Sequence, residues 1–553
     1  MKVKALPTVA GNILDTRKKI KRRFSGIRVC FFLLAFLLAM TDAGIAQEAD
    51  PSGVNTGTIK DIGLDSLKTI DTTVTVKADT LATTVNQITN AVNTIGSATG
   101  HNKIAINLMW TLITGFLVMF MQAGFAMVET GFTRKKNVAH TMGMNFLVYA
   151  LGIFGFWVCG FAFMFGGAGS IGALGGTPGL DHEVTIHLFG KSFDIIGSSG
   201  YFLNSKVYDV GVFTLFLFQM VFMDTTATIP TGSMAERWKF KAFVVYGLFI
   251  SMFVYPIFGN WVWGGGWLAD LGVNFRLGHG HVDFAGSSVV HMVGGVAALA
   301  GAIVIGPRIG KYGKDGSVRT LPGHNIPMAI IGTFILAFGW FGFNPGSTLA
   351  GTDLRISVVA VNTMLASASG ALAAMLYMWA RYGKPDPGMM ANGMLAGLVA
   401  ITAPCAFVNA TSSILIGAIA GVLVILSAYF LEKKLKIDDP VGAFAVHGVN
   451  GFWGVLALGL FADGSYGDGW NGVAGTVKGL FYGDARQFIA ELIGGLTCFV
   501  FVFLVMYVFF KICDKTIGLR VSAKDETEGL DIPEMGVIGY DDSDGVPVGE
   551  AVA

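Results

Sequence analysis

From Ile104 onward, long apolar stretches alternate with short polar segments along the chain. A helix needs about 20 predominantly apolar residues to cross a hydrocarbon core of roughly 30 Å. Eleven stretches approach or exceed that length, which predicts an all-α polytopic membrane protein with its transmembrane domain over 104–512. The predicted spans are 104–128, 143–166, 209–232, 242–264, 286–306, 325–346, 356–379, 391–408, 411–431, 446–463 and 487–512.

The basic residues of the loops predict the orientation of these spans. The loops after spans 1, 3, 5, 7 and 9 contain fifteen Lys and Arg residues, whereas the loops after spans 2, 4, 6, 8 and 10 contain six. Cytoplasmic loops are the ones that carry an excess of Lys and Arg. We therefore expect the N-terminus outside and the C-terminal tail, 513–553, in the cytoplasm.

The N-terminus has the features of a secretory signal. Residues 16–28 are rich in Lys and Arg, 29–40 form an apolar run, and Gly44 and Ala46 supply small residues for cleavage. The apolar run is too short to cross a bilayer. The pattern predicts a signal peptide over 1–46, with an uncleaved anchor helix as the alternative, and its removal would leave the mature N-terminus outside.

Residues 47–103 are polar and are predicted to form an extension outside the membrane. Within 74–95, apolar residues recur in alternating steps of four and three, which is typical of a short coiled coil. The many Thr residues of this segment lower its helix propensity. A disordered exported linker therefore remains an open alternative.

The composition excludes several classes of protein. Hydrophobic residues make up 53% of the 553 residues and charged residues only 14%, against about 25% charged residues in an average soluble domain. This excludes a soluble multidomain enzyme and a disordered chain. The net charge of +1 gives no indication of nucleic-acid binding, and five scattered Cys predict neither a disulfide framework nor a metal site. We found no catalytic motif, so the sequence predicts no enzyme and no cofactor.

An internal repeat is the most informative feature of the chain. Six residues recur at the same offsets where spans 5 and 10 begin: Asp283, Gly286, Val290, His291, Val293 and Gly295 match Asp439, Gly442, Val446, His447, Val449 and Gly451. Five spans separate the two copies, so the copies run in opposite directions through the membrane. This predicts an inverted repeat of spans 1–5 and 6–10, followed by span 11, an architecture that places transport sites near the midplane.

The repeat brings two histidines to a similar depth. Each lies eight residues after its aspartate, or about 12 Å along a helix, so His291 and His447 should lie within roughly 6 Å of each other in depth across a core of about 30 Å. A neutral imidazole has one donor and one acceptor, and a lining of two such rings suits a small polar neutral molecule better than a desolvated metal cation. Asp283 and Asp439 stand where a carboxylate can cap a helix.

At these residues the sequence resembles the ammonium transporter family (Amt/Mep/Rh), specifically its bacterial Amt branch. The resemblance covers about 104–540. Besides both copies of the repeat, the matching motifs are FMQAGFAMVETGF at 120–132, FQMVF at 218–222 followed by AER at 235–237, WGGG at 263–266 and WFGFNPGS at 340–347.

The resemblance implies roles for individual residues. His291 and His447 correspond to the twin pore histidines, and Asp283 to the structural, charge-stabilising aspartate. Phe218, Trp263 and Ser347 correspond to the outer site that recruits ammonium, and Phe222 and Phe343 to the stacked gate beneath it. The implied function is ammonium uptake across the cytoplasmic membrane: ammonium binds outside, loses its proton near the gate, and ammonia crosses between the histidines.

The resemblance also implies a homotrimer with one pore per subunit and a regulatory cytoplasmic tail, 513–553, that accepts a PII-type signal protein. The tail departs from the family pattern because Met535 stands where a His is expected. An ammonium sensor that signals through this tail and a PII-type partner is the alternative function.

Overall fold

The computed structural model describes residues 78–540, apart from residues 170, 177 and 178. The predicted signal peptide over 1–46, the extension as far as residue 77 and the tail residues 541–553 lie outside the described residues.

Eleven long helices form the described part of the chain, as the apolar pattern predicts. Ten of them are long and apolar enough to cross a membrane, and α8, with 16 residues, is shorter. The helices are α1 (Ala78–Phe132), α2 (Lys135–Phe165), α3 (Val210–Ser233), α4 (Phe240–Trp263), α5 (Ser287–Ile305), α6 (Ile326–Gly346), α7 (Ile356–Tyr382), α8 (Pro387–Thr402), α9 (Ala410–Leu435), α10 (Phe444–Phe461) and α11 (Ala485–Thr516).

The boundaries of α8 differ from the predicted span 391–408. The helix begins earlier because the Asp386 carboxylate accepts hydrogen bonds from the backbone N–H groups of Gly388 and Met389, at 2.8 and 3.2 Å. With Pro387 in the first turn, this is a favourable helix start. The helix ends at Thr402, two residues before Pro404, because proline cannot continue a helix.

The first helix is much longer than the span predicted to start at residue 104. It begins at Ala78 and continues without interruption to Phe132, and no proline occurs in 78–103 to stop it. The described part of the predicted coiled coil is thus helical, with Ile88, Val92 and Ile95 exposed. Pairing of this segment with other helices stays a prediction.

The loop between α2 and α3 contains a β-hairpin that the sequence did not reveal. Strands β1 (Glu183–Leu188) and β2 (Lys191–Gly197) pair antiparallel. The hairpin is docked against the end of α4, where the indole N–H of Trp261 donates to the carbonyl of Ile195 at 2.9 Å. We call this side of the helix bundle the outer face.

The two copies of the repeat pack on each other through their glycines. A Cβ added at Gly295 on α5 would collide with the backbone of Gly448 on α10, and a Cβ added at Gly451 on α10 would collide with the carbonyl of Ser287 on α5. The same repeat position therefore makes the close backbone approach in both copies. Small residues at helix crossings permit such approach in membrane proteins.

The tail after α11 folds back against the opposite side, the inner face, where α2, α4 and α6 begin. The Glu526 carboxylate accepts from the backbone N–H of Ile309 at 2.6 Å, and the Asp531 carboxylate accepts from the backbone N–H of His140 at 2.9 Å. The tail thereby supplies acceptors for helix and loop N–H groups that the bundle leaves unpaired.

Candidate functional site

Each histidine of the repeat lies in a widened, π-helical turn at the start of its helix. The two turns span Ser287–Met292 and Phe444–Val449. Each follows a glycine with a left-handed backbone, Gly286 at φ 113° and Gly442 at φ 80°, a conformation that favours glycine. π-Helical turns are rare and occur frequently at functional sites.

The two histidine side chains meet inside the bundle. Their Nδ1 atoms are 3.2 Å apart and their ring centroids 5.2 Å apart, and both residues are buried. A hydrogen bond between two ring nitrogens needs one donor and one acceptor, so two neutral rings must be opposite tautomers. One ring then has a free Nε2–H donor and the other a free Nε2 acceptor.

Aromatic rings continue this pair into a column through the bundle. From the outer side, the column runs through Trp263, Phe222, Phe343, His291, His447 and Phe125. Phe222 and Phe343, the predicted gate, are stacked with their centroids 4.1 Å apart, and Phe343 lies 5.3 Å from the ring of His291. Both phenylalanines are fully buried, so the rings close the column between the outer face and the histidines.

An outer cavity lies above these rings. Phe218, Trp263 and Ser347, the three predicted recruitment residues, all line it. The Ser347 hydroxyl donates its hydrogen to the carbonyl of Phe343 at 2.8 Å, which leaves the oxygen as an acceptor. The cavity therefore offers aromatic surfaces and one hydroxyl acceptor, a combination suited to a small cation with N–H groups.

Asp283 and Asp439 make helix-capping contacts in both copies. The Asp283 carboxylate accepts from the backbone N–H groups of 286–289 at 2.7–3.0 Å. The Asp439 carboxylate accepts from the N–H groups of Ala443 and Phe444 at 3.0 and 2.9 Å. Trp263 is linked to the first cap, because its indole N–H donates to the Asp283 carbonyl at 2.6 Å.

A buried set of polar groups supports Asp283, and its three other members were not predicted from sequence. The Ser288 hydroxyl donates to the Asp283 carboxylate at 2.7 Å, so its oxygen accepts from Nε2–H of His281 at 2.9 Å. On the other side, Nδ1 of His281 lies 2.7 Å from the Glu491 carboxylate. Burial lowers the pKa of His281, but the Glu491 carboxylate outweighs burial and raises that pKa above its ordinary value. The Glu491 carboxylate thus favours the cationic form of His281.

Below His447, a small inner cavity continues toward the inner face. It is lined mainly by apolar residues, with Glu129 and Asn392 as its polar members besides His447. Asn392 and Val441 also line the wide vestibule that opens at the inner face. The path from the histidine pair to the inner face therefore passes a buried carboxyl group that the sequence analysis did not single out.

An ion-pair cluster joins the vestibule to the loops of the inner face. The Arg308 guanidinium contacts Asp438 at 2.9 Å and Glu236 at 3.0 Å, and Arg134 also contacts Glu236. Burial would raise the pKa of Asp438, but the guanidinium groups of Arg237 and Arg308 outweigh it and hold that pKa below its usual range. Asp438 directly precedes the cap residue Asp439, so the cluster fixes the start of the second repeat.

Comparison with known proteins gives the family of the chain. Residues 109–540 match the model of the Ammonium Transporter Family. The chain is 48% identical to ammonium transporter Amt2 of Archaeoglobus fulgidus over 440 residues, which is 79% of this chain and 89% of that protein. It is 38% identical to ammonium transporter Amt1 of Haloferax mediterranei, with 79% of each chain covered.

Two solved structures resemble the fold. One is a sensor Amt protein, with a TM-score of 0.67, 37% identity, and coverage of 78% of this chain and 99% of that chain. The other is Mep2 of Candida albicans, with a TM-score of 0.64, 26% identity, and coverage of 76% and 87%. From its sequence match and its fold together, the chain belongs to the ammonium transporter family.

Proposed function

We propose that this protein takes up ammonium across the cytoplasmic membrane, with the column of aromatic rings and histidines as its pore. The observation that carries the proposal is the continuity of the column. The outer cavity, the stacked phenylalanines and the histidine pair follow one another without an intervening charged residue. A charged ammonium ion fits the outer cavity, whereas neutral ammonia fits the buried rings.

In this proposal, ammonium binds among Phe218, Trp263 and Ser347. The faces of Phe218 and Trp263 attract the cation, with about 0.5–2 kcal/mol for each such contact, and the Ser347 oxygen accepts one N–H. The buried rings of Phe222 and Phe343 offer no hydrogen-bond acceptor, so a desolvated ion is disfavoured there. The proton is left on the outer side and ammonia passes the gate.

The histidine pair then conducts ammonia through its free ring nitrogens. Ammonia is both a donor and an acceptor, so it pairs with the Nε2–H of one ring and the bare Nε2 of the other. Asp283 and Asp439 hold the helix starts that carry the two rings. Water on the inner side returns a proton and re-forms ammonium.

We also propose a homotrimer in the cytoplasmic membrane, with the mature N-terminus outside and the tail in the cytoplasm. The excess of basic residues in the loops of the inner face supports this orientation. The tail contacts at Ile309 and His140 support a regulatory role for 513–540. A PII-type signal protein is the proposed partner at this face. The tail departs from the family pattern at Met535, where a His is expected.

The experiment that tests uptake applies an ammonium gradient to proteoliposomes that contain the purified protein. Current and internal pH are recorded together, because transport of charge gives a current and conduction of ammonia alone gives internal alkalinisation. Either signal above that of empty liposomes supports the proposal. Neither signal from folded, reconstituted protein would contradict it.

Sensing is the second candidate function. The likeness to a solved sensor Amt protein at 37% identity favours it, and the docked tail offers an element that could respond to ammonium in the pore. Binding of a PII-type protein to the reconstituted chain, measured with and without ammonium, distinguishes the two. A sensor gives ammonium-dependent binding with little uptake, whereas a transporter gives uptake whether or not the partner binds.

A further inference from the structure

We infer that Glu129 forms an inner cation subsite, where ammonium re-formed below His447 is held before it leaves through the vestibule. This inference rests on the proposed function and adds a second binding site for ammonium or methylammonium, on the inner side of the histidine pair.

The position of Glu129 follows from α1. The ring of Phe125 lies 6.1 Å from the ring of His447, and Glu129 is four residues further along the same helix. A four-residue step places it on the same helix face, about 6 Å nearer the inner face. Glu129, Phe125 and His447 accordingly line the same inner cavity.

The hydrogen bonds of Glu129 provide no positive charge that would balance an ionised carboxylate. Its carboxylate accepts from the Asn145 amide at 2.7 Å and lies 2.7 and 2.9 Å from the Thr231 hydroxyl. These donors are neutral, and within 78–540 no Lys, Arg or His makes an ion pair with Glu129. Only 3% of its surface is exposed. A buried carboxylate without a cationic partner is unfavourable, so a cation that enters this cavity stabilises the ionised form of Glu129.

The cavity favours a small monovalent ammonium ion. Besides Glu129, its polar members are Asn392 and His447, and Val128, Ile229 and Leu395 contribute apolar walls. Metal cations such as Ca²⁺ require about six to eight oxygen ligands, which this lining does not provide. Phe125 adds an aromatic surface that attracts a cation, and the cavity joins the vestibule through Asn392 and Val441.

The test compares uptake of radiolabelled methylammonium into proteoliposomes by wild type, Glu129→Gln and Glu129→Asp. Gln keeps the size of the side chain and removes the charge, whereas Asp keeps the charge on a shorter side chain. We expect the maximal rate of Glu129→Gln to fall roughly tenfold or more, since a lost charge-assisted contact corresponds to about one decade in rate. The apparent affinity should change little, because the outer site is intact, and Glu129→Asp should keep most of the rate.

Asp224→Asn is the matched control, because Asp224 is a buried carboxyl on α3 that does not line the inner cavity. Size-exclusion and melting profiles like those of wild type establish that each variant is folded. Wild-type uptake by Glu129→Gln would overturn the inference. An equal loss of uptake in Glu129→Asp and Glu129→Gln would also overturn it, because the shape of the side chain would then matter and its charge would not. Absence of uptake in wild type would instead contradict the proposed function.

Discussion

The Nδ1 atoms of His291 and His447 lie 3.2 Å apart in the middle of the helix bundle. Two helices that run in opposite directions deliver these atoms, and each does so through a π-helical turn that follows a left-handed glycine. The pair is therefore a product of the inverted repeat. Its tautomers are coupled, because a hydrogen bond between the rings gives each ring a different free nitrogen.

Removing either ring should stop conduction while the fold survives. We expect His291→Ala and His447→Ala to abolish uptake or change its selectivity, because the lone remaining imidazole has no partner to fix its tautomer. Methylammonium uptake and size-exclusion profiles measure the two effects. His187→Ala, in the exposed hairpin strand β1, is the control that should transport normally. Normal uptake by both pore variants would show that the pair is not on the transport path.

Changes at the outer cavity should act on apparent affinity. For Phe218→Ala and Trp263→Leu we expect the ammonium concentration for half-maximal uptake to rise by about 2- to 30-fold, which corresponds to the loss of one cation–π contact. Phe146→Ala and Trp379→Leu remove exposed aromatic residues elsewhere on the bundle and serve as matched controls. Unchanged concentration dependence in both outer variants would contradict the assignment of this cavity.

The ion pair between Asp438 and Arg308 should make stability depend on acidic pH. The folded protein holds the pKa of Asp438 below its usual value, so this stabilisation is complete above the unfolded pKa of about 3.9 and is lost as pH falls toward the folded pKa. Asp438→Asn should cost up to about 3–5 kcal/mol, because the buried Arg308 loses one of its two carboxylate partners and keeps only Glu236.

Melting curves of the detergent-purified protein, recorded at pH values about one unit apart between pH 3 and 7, check this expectation. The exposed Asp315→Asn is the control. If Asp438→Asn melts like wild type across this range, the cluster does not stabilise the inner face.

The stabilisation supplied by the buried polar groups from Asp283 to Glu491 should depend on pH in the opposite direction. The pKa of His281 is raised in the folded state, so its contribution is complete below the ordinary value of about 6.5 and is lost as pH rises through the folded value. Wild-type melting temperature should therefore fall on the alkaline side, and Glu491→Gln should remove that dependence. A double-mutant cycle of Glu491→Gln and His281→Gln measures the coupling free energy between the two side chains. Additive effects on stability would show that the two side chains do not stabilise each other.

Much of this structure could be predicted from residue patterns. The lengths of the apolar stretches predict the number of long helices. The repeat predicts that its two copies run in opposite directions and that His291 meets His447. The start of α1 at Ala78 was missed because apolar content, on which the prediction of spans rests, is low before residue 104 although the backbone continues as a helix. The hairpin of β1 and β2 was missed within a Gly-rich loop.

The polar groups inside the bundle were also underestimated. Glu491 lies within the predicted span 487–512 and Glu129 directly follows the predicted span 104–128, and an ionisable residue inside a membrane span is a candidate functional residue by default. That signal was available in the sequence. What it could not give was the partner of each acid, because His281 and Glu491 are far apart along the chain and meet only when α11 packs against the loop before α5.

Uptake of radiolabelled methylammonium into proteoliposomes, with ammonium and potassium as competitors, tests the central claim most directly. The proposed pore predicts saturable uptake that ammonium suppresses and potassium does not, and His291→Ala should abolish this uptake or its selectivity for ammonium over potassium. Uptake no greater than in empty liposomes, or uptake that potassium suppresses as well as ammonium does, would contradict an ammonium pore built on the histidine pair.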